Sequence, residues 1–192
     1  MTQAPTLFLL RHGETEWNHS GRIQGSLDSP LTAKGRQQAL AMRTILDRLG
    51  EEVASLPVFV SPLERVRVTA SLAVPNRPHQ IEPRLSEIAC GAWEGLTPVE
   101  RKAGWPDLAA RCHSDLDLYD LAPGGEGLAG VQRRVEDFLA DLEGPTIIVA
   151  HKVVLIVMRG LLQGLTPSDW HRLEAPQGVV IRVADGVEHV LS

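Results

Sequence analysis

Short apolar runs alternate with longer amphipathic stretches along most of this chain. Residues 7–10 form an uninterrupted apolar run of strand length, and residues 146–149 form a second one that is rich in β-branched side chains. Such runs are typical of strands buried on both faces of a sheet. Between them, apolar residues recur at helical spacing over residues 33–49, with Thr32 as the predicted cap and Gly50 as the stop. This alternation of strand and helix predicts an α/β fold.

The same reasoning predicts the remaining elements. Further strands are expected over residues 56–60, 79–82, 178–183 and 187–191, and further helices over residues 63–73, from about 126 to 142, and over residues 153–162. An Asp-Gly pair at 185–186 predicts a hairpin between the last two strands. Residues 18–30 are predicted to form an irregular loop, and residues 97–120 only short helices. We therefore expect a single domain over residues 1–192, a three-layer α/β/α sandwich around a mostly parallel central sheet.

Composition excludes several classes of partner. The chain has 192 residues, 43% of them hydrophobic, and a formal net charge of −5 without a basic run, so we expect neither a nucleic-acid nor an anionic-membrane partner. Residues 1–5 show no leader pattern, and no apolar run approaches transmembrane length. The two cysteines, Cys90 and Cys112, form no CxxC pair and are expected to be reduced thiols. These features predict a cytoplasmic protein.

Charged and titratable residues follow the two strongest predicted strands directly. Arg11 and His12 come after the first run, and His151 comes after the run at 146–149. Ligand sites of open α/β sheets lie at the carboxyl ends of the strands. A guanidinium suits phosphate oxygens, and a neutral imidazole offers one ring nitrogen as a nucleophile. Taken alone, an Arg-His pair is also compatible with an ordinary polar strand end.

Other segments place this pair in a wider pattern. They are Arg11-His12-Gly13-Glu14-Thr15, Asn18, Gly21-Arg22-Ile23-Gln24-Gly25, Asp28-Ser29-Pro30-Leu31-Thr32, Gly35, Ser61-Pro62-Leu63-Glu64-Arg65, Thr69-Ala70, Leu85-Ser86-Glu87, Gly91-Ala92-Trp93-Glu94-Gly95, Pro123-Gly124-Gly125-Glu126 and Val149-Ala150-His151. In this order they resemble the histidine phosphatase superfamily, and its phosphoglycerate mutase-like branch in particular. The resemblance extends from about residue 7 to about residue 160.

This resemblance implies a metal-independent phosphatase that hydrolyses a small phosphorylated metabolite through a phosphohistidine intermediate, without a cofactor. It implies that His12 is the nucleophile, Glu87 the proton donor, and Arg11, Arg65 and His151 the groups that hold the phosphoryl oxygens. A carboxylic acid that donates at neutral pH requires burial, so we expect Glu87 to be partly buried. The additional phosphate- or substrate-binding residues that we predict are Asn18, Gln24, Gly25 and Lys152.

Three residues depart from the family pattern. Cys90 is smaller than the residue expected there, and is interpreted as a buried thiol. Gly127 stands where serine is usual, which leaves the cap of the following helix open. Lys152 stands where glycine is usual, and is either a site cation or a solvated side chain. The remaining histidines, His19, His113, His171 and His189, have no metal-ligand spacing, and only His113 lies in the segment expected to select substrate.

Two alternative functions remain open. A phosphoglycerate mutase-type isomerase needs an enclosed site that keeps water from the phosphohistidine, whereas residues 97–120 form a short insertion that favours an open pocket. A catalytically silent phospho-ligand-binding protein need not keep a nucleophile and an acid, and both are present here. The sequence does not identify the substrate, and it leaves the oligomeric state open, a homodimer included.

Overall fold

The computed structural model describes residues 5–192; residues 1–4, on which much of the leader prediction rests, lie outside this range. Six strands form one sheet in the order β3-β2-β4-β1-β5-β6. Their bounds are Leu7–Arg11 (β1), Val58–Val60 (β2), His79–Ile81 (β3), Thr146–Ala150 (β4), Val180–Ala184 (β5) and Val187–Leu191 (β6). The first four strands of that order are parallel, and β5 and β6 are antiparallel. The predicted mostly parallel sheet and its closing hairpin are confirmed.

Helices cover both faces of this sheet. They are Glu16–His19 (α1), Ala33–Leu49 (α2), Glu51–Ala54 (α3), Glu64–Ala73 (α4), Pro98–Gly104 (α5), Pro106–Arg111 (α6), Asp115–Asp120 (α7), Gly127–Ala140 (α8) and Lys152–Leu162 (α9). Three 3-10 turns complete the structure at Pro83–Leu85, Gly91–Trp93 and Pro167–Arg172. None of the helices within residues 5–192 has both the length and the apolar character needed to cross a bilayer.

The alternation of side chains along the strands divides the core into two halves. Phe8 and Leu10 face α2 and α4, whereas Leu7 and Leu9 face α8 and α9. Successive strand residues point to opposite faces, so a continuous apolar run buries both sides of β1. The three-layer sandwich predicted from the sequence is confirmed.

Helix termini show where sequence patterns hold and where they fail. Helix α2 has the predicted bounds: the Thr32 hydroxyl accepts a hydrogen bond from the Gly35 amide at 3.0 Å, and Gly50 ends the helix. Helix α8 ends at residue 140 rather than at 142. Its cap comes from another element, because the Leu128 amide donates to Asp120 Oδ1 at 2.7 Å. Asp120 thus supplies the cap that the sequence left open.

Candidate active site

The carboxyl ends of β1 and β4 bring the two predicted histidines together. The strands are adjacent and parallel, with Arg11 opposite Ala150, and the His12 amide donates to the Ala150 carbonyl at 3.1 Å. The strand register therefore carries His12 and His151 to the same sheet edge. Their ring centroids lie 5.2 Å apart, and both side chains are buried.

His12 is held in a form suited to nucleophilic attack. Its Nδ1 lies 2.8 Å from the Gly13 carbonyl oxygen. A carbonyl oxygen only accepts hydrogen bonds, so Nδ1 carries the ring proton and Nε2 keeps a free lone pair. Burial lowers the His12 pKa well below its usual 6.5, and the nearby Arg11 and Arg65 guanidiniums lower it further. The imidazole is therefore neutral at physiological pH.

His151 contacts a serine from the end of β2. Ser61 Oγ is 2.7 Å from His151 Nε2 and also accepts a weak hydrogen bond from the Leu63 amide at 3.4 Å. We assign the hydroxyl proton to the Ser61–His151 bond, which leaves the imidazole proton on Nδ1. That nitrogen is buried and has no hydrogen-bond partner within residues 5–192. Burial lowers the His151 pKa well below its usual value, with Arg65 and His12 as further causes.

Arg65 fastens the loop that follows α1 to the start of α4. One terminal nitrogen, Nη1, donates to the Leu27 carbonyl at 2.6 Å and to Asp28 Oδ1 at 2.7 Å, and Nη2 donates to the Gly25 carbonyl at 2.8 Å. Its side chain is almost fully buried, and its Nε has no partner among the described residues. Gly25 has a φ of 55°, a conformation that favours glycine. No local pattern predicts that oxygens of this loop enclose the arginine.

Arg11 and Glu87 are both held by backbone groups of other segments. Arg11 Nη1 donates to the Ala175 carbonyl at 2.8 Å, and burial lowers the pKa of this guanidinium. Glu87 is 8% exposed, which confirms its expected burial. Its Oε2 accepts a hydrogen bond from the Val153 amide at 3.3 Å, in the first turn of α9. The positive end of a helix dipole thus faces this carboxylate.

Most of the predicted site residues line one small cavity. They are Arg11, His12, Asn18, Gln24, Gly25, Arg65, Glu87 and Lys152. His151 does not line it, although its ring lies next to that of His12. Arg22 and Tyr119 also line the cavity, although the sequence analysis did not select them. Burial raises the Tyr119 pKa, and the nearby Glu87 raises it further, so the phenol stays protonated.

Asn18 presents its amide nitrogen to this cavity. Its Oδ1 accepts hydrogen bonds from the Thr15 amide and from Gln177 Nε2, both at 3.3 Å. The NH2 group is therefore the end left for a ligand. Gln177 also donates to the His12 carbonyl at 3.0 Å. This glutamine supports both residues and comes from the segment before β5, where no local motif would have identified it.

Lys152 is neither a free site cation nor a solvated side chain. Its Nζ lies 2.5 Å from Asp115 Oδ2, and 23% of its side chain is exposed. Lys152 is thus part of the site wall, with its charge compensated by Asp115.

Two other residues singled out in the sequence lie away from the reacting groups. Cys90 is a buried thiol, as interpreted, and burial raises its pKa to about 12. His113 is exposed and lines none of the cavities around the site.

Two larger cavities open on either side of this small one. The first has a volume of about 530 Å³ and shares Arg11 and Lys152 with it. The second has a volume of about 290 Å³ and shares Asn18, Arg22 and Tyr119. Among the described residues, no group of three or more His, Cys, Asp or Glu side chains is arranged to hold a metal ion. The arrangement is a cation-lined pocket for a small anion, with room beside it for an attached group.

Comparisons with known proteins show which proteins this chain resembles. An adenosylcobalamin/alpha-ribazole phosphatase of Salmonella typhimurium is 35% identical over 94% of this chain and 91% of its own length. Phosphoserine phosphatase 1 of Hydrogenobacter thermophilus is 32% identical over 84% of this chain and 78% of its own. The crystal structure of the alpha-ribazole phosphatase from Shigella flexneri superposes with a TM-score of 0.80 at 30% identity, over 97% of this chain and 95% of that one.

A family model covers nearly the whole chain. It matches residues 7–186, a range that extends beyond Val149-Ala150-His151, includes β5 and ends just before β6. The match therefore contains every residue that lines the small cavity. The chain belongs to branch 1 of the histidine phosphatase superfamily.

Proposed function

We propose that this protein is a metal-independent phosphatase that hydrolyses a small phosphorylated metabolite through a phosphohistidine on His12. The observation that carries the proposal is the state of His12: a neutral imidazole with a free Nε2, in a pocket lined by Arg11 and Arg65. Two of the relatives are named as phosphatases of small molecules, which supports the same class of reaction.

In the first half-reaction, His12 Nε2 attacks phosphorus and the bond from phosphorus to the ester oxygen breaks. Glu87 gives a proton to the departing oxygen, so an alcohol leaves. Arg11 and Arg65 neutralise the charge of the phosphoryl oxygens, and the Asn18 amide donates a hydrogen bond to them, which together meet the main demand of phosphoryl transfer on a protein. His151 fixes the position of the adjacent His12 ring.

In the second half-reaction, water attacks the phosphorus of the phosphohistidine. The Glu87 carboxylate takes a proton from this water, the bond from phosphorus to Nε2 breaks, and phosphate leaves. His12 then returns to its neutral form, and Glu87 is again protonated. The positions of His12, Glu87 and Arg11 around one cavity support both steps.

The open surroundings favour a phosphatase over a mutase. A mutase must keep water away from its phosphohistidine, whereas here two cavities flank the pocket and adjoin it. A silent phospho-ligand-binding protein would not require the paired nucleophile and acid.

We also propose that the protein acts in the cytoplasm, since Cys90 and Cys112 are free thiols.

The test is phosphate release from a panel of phosphorylated metabolites, with and without chelator, by wild type and His12→Ala. We expect release that resists the chelator, depends on His12, and passes through a phosphoenzyme detectable by intact mass after acid-free quenching. Conversion of 3-phosphoglycerate to its isomer without phosphate release would instead identify a mutase. Binding of phosphate without turnover of any substrate would identify a silent binder.

A further inference from the structure

Helix α5 contains a buried arginine that the proposed mechanism does not use. Arg101 is 7% exposed, and its Nε has no hydrogen-bond partner among residues 5–192. It takes part in none of the ion pairs found within that range, although most other arginines of the chain do. A buried guanidinium without an acceptor is unfavourable, because its lost hydration is not replaced.

The contacts that Arg101 does make compensate only part of this cost. Its guanidinium lies over the Trp93 ring, with the central carbon 5.6 Å from the ring centroid. A cation–π contact stabilises the charge but provides no acceptor for the buried Nε–H group. Packing against Trp93 therefore explains where the side chain lies, and it does not explain why the residue is charged.

The guanidinium lines the 290 Å³ cavity beside the phosphate pocket, and the two spaces share Asn18, Arg22 and Tyr119. The other charges of this cavity already have partners. Arg22 Nη1 lies 3.0 Å from Glu100 Oε2, and Asp115 is paired with Lys152. Asp115 lines the same cavity and lies near Arg101, but its ion pair is with Lys152. Within the part of the chain that the structure describes, Arg101 is thus the cation of this cavity that forms no ion pair.

We infer that Arg101 forms a second anion subsite, which binds a carboxylate or phosphate group on the leaving group of the substrate. This inference rests on the proposed phosphatase function. The reacting phosphate lies against His12 and Arg11, and the second anion lies in the adjoining cavity, where it accepts hydrogen bonds from Arg101. The substrate class is a short phosphomonoester that carries a further anionic group.

Three matched three-carbon monoesters test the subsite. They are 3-hydroxypropyl phosphate, 2-carboxyethyl phosphate and propane-1,3-diyl bisphosphate, which differ in the terminal group. For wild type, we expect kcat/KM to be roughly 10-fold or more higher with at least one anionic compound than with the hydroxyl compound, as for a hydrogen bond between charged groups. The compound that gains most tells whether the subsite prefers carboxylate or phosphate. Equal values for all three would overturn the inference without affecting the proposed function.

Variants locate the effect on Arg101. Arg101→Met should reduce the preference for the anionic compound roughly 10-fold, whereas Arg101→Lys should keep part of it. Lys102→Met is the matched control, because Lys102 carries the same charge on the same helix but is exposed. An unchanged preference in a folded Arg101→Met protein, or an equal decrease in Lys102→Met, contradicts the inference.

Should Arg101→Met fail to fold, Arg101→Lys and the wild-type comparison still decide whether the subsite exists. If no compound, p-nitrophenyl phosphate included, is hydrolysed by wild type, the proposed function fails instead.

Discussion

The phosphate end of the site and the segment over residues 97–121 differ in how their side chains are held. At the phosphate end, His12 and His151 extend from central strands, and Arg65 donates to three oxygens of one loop. Residues 97–121 instead form α5, α6 and α7, helices of seven, six and six residues. Their charged groups are joined by single pairs, such as Asp115 with Lys152.

This difference suggests a division of labour between the two regions. A rigid set of donors around phosphorus serves any phosphomonoester, because each such substrate presents the same three oxygens. Segments at the surface tolerate replacement better than central strands do. We therefore expect changes at the phosphate end to reduce turnover of all substrates, and changes in residues 97–121 to alter the choice among them.

Replacing His12 by alanine should have the largest effect. We expect phosphate release to fall by roughly 10⁴-fold or more with every substrate, because His12 is the one imidazole among the residues that line the pocket. Phosphate release and intact mass of the quenched enzyme measure it, and His189→Ala, an exposed histidine on β6, is the control. Phosphoenzyme in the His12→Ala protein would mean that the nucleophile is a different residue.

Arg65→Met should have the next largest effect. We expect kcat/KM to fall on the order of 10²–10³-fold with all substrates, as when one preorganised electrostatic donor is removed. Arg67→Met on the same helix is the matched control, because Arg67 is exposed and pairs only with Glu64 at 3.4 Å. A thermal melt checks that loss of the contacts between Arg65 and this loop has not unfolded the protein. A loss confined to one substrate would contradict the proposed division.

Acid should destabilise the phosphate end through its two histidines. Their pKa values in the folded protein lie well below the usual 6.5, so the unfolded chain binds protons that the folded protein does not as pH falls below 6.5. Each histidine lowers the free energy of unfolding by up to about 1.4 kcal/mol per pH unit in that range. Urea titrations at pH 7.5, 6.5 and 5.5 measure the free energy of unfolding, which should change less with pH in His12→Ala than in wild type. An equal change with pH in both proteins would show that His12 does not contribute to the acid sensitivity.

Tyr119→Phe should have the smallest effect. The phenol lines both the phosphate pocket and the cavity of Arg101, so its hydroxyl is placed to contact the leaving group. Loss of one neutral hydrogen bond should lower kcat/KM by roughly threefold to tenfold for some substrates and less for others. The three matched monoesters measure this spread. A uniform decrease across them would assign Tyr119 to the phosphate end instead.

The same two regions differ in how well the sequence predicts them. The periodicity around α2 and the apolar runs of β1 and β4 predict elements within a residue or two, because local patterns and buried faces agree there. The carboxyl ends of β1 and β4, which are neighbours in the sheet, then bring Arg11, His12 and His151 together. Predicting this requires only the rule that parallel strands end at the same edge of a sheet.

What the sequence could not provide is contact between distant segments. Gln177 supports His12 across 165 positions, and the cap of α8 comes from Asp120 on another helix. Arg22 belongs to a recognised motif, but only its place beside the pocket shows that it lines the site. Short helices such as α1 and α3 contain too few residues for a periodic signal, and were not predicted.

Two glycines at the start of the site determine how the surrounding chain can change. A Cβ added at Gly13 would lie 2.2 Å from the Gly35 carbonyl oxygen, and one added at Gly35 would lie 2.0 Å from the Glu14 carbonyl oxygen. Each clash involves backbone, so no neighbouring side chain can move aside. In a library of single and paired substitutions, both positions should accept glycine alone, and no partner change should rescue either. The turn after β1 and the start of α2 can therefore vary only around these two fixed points.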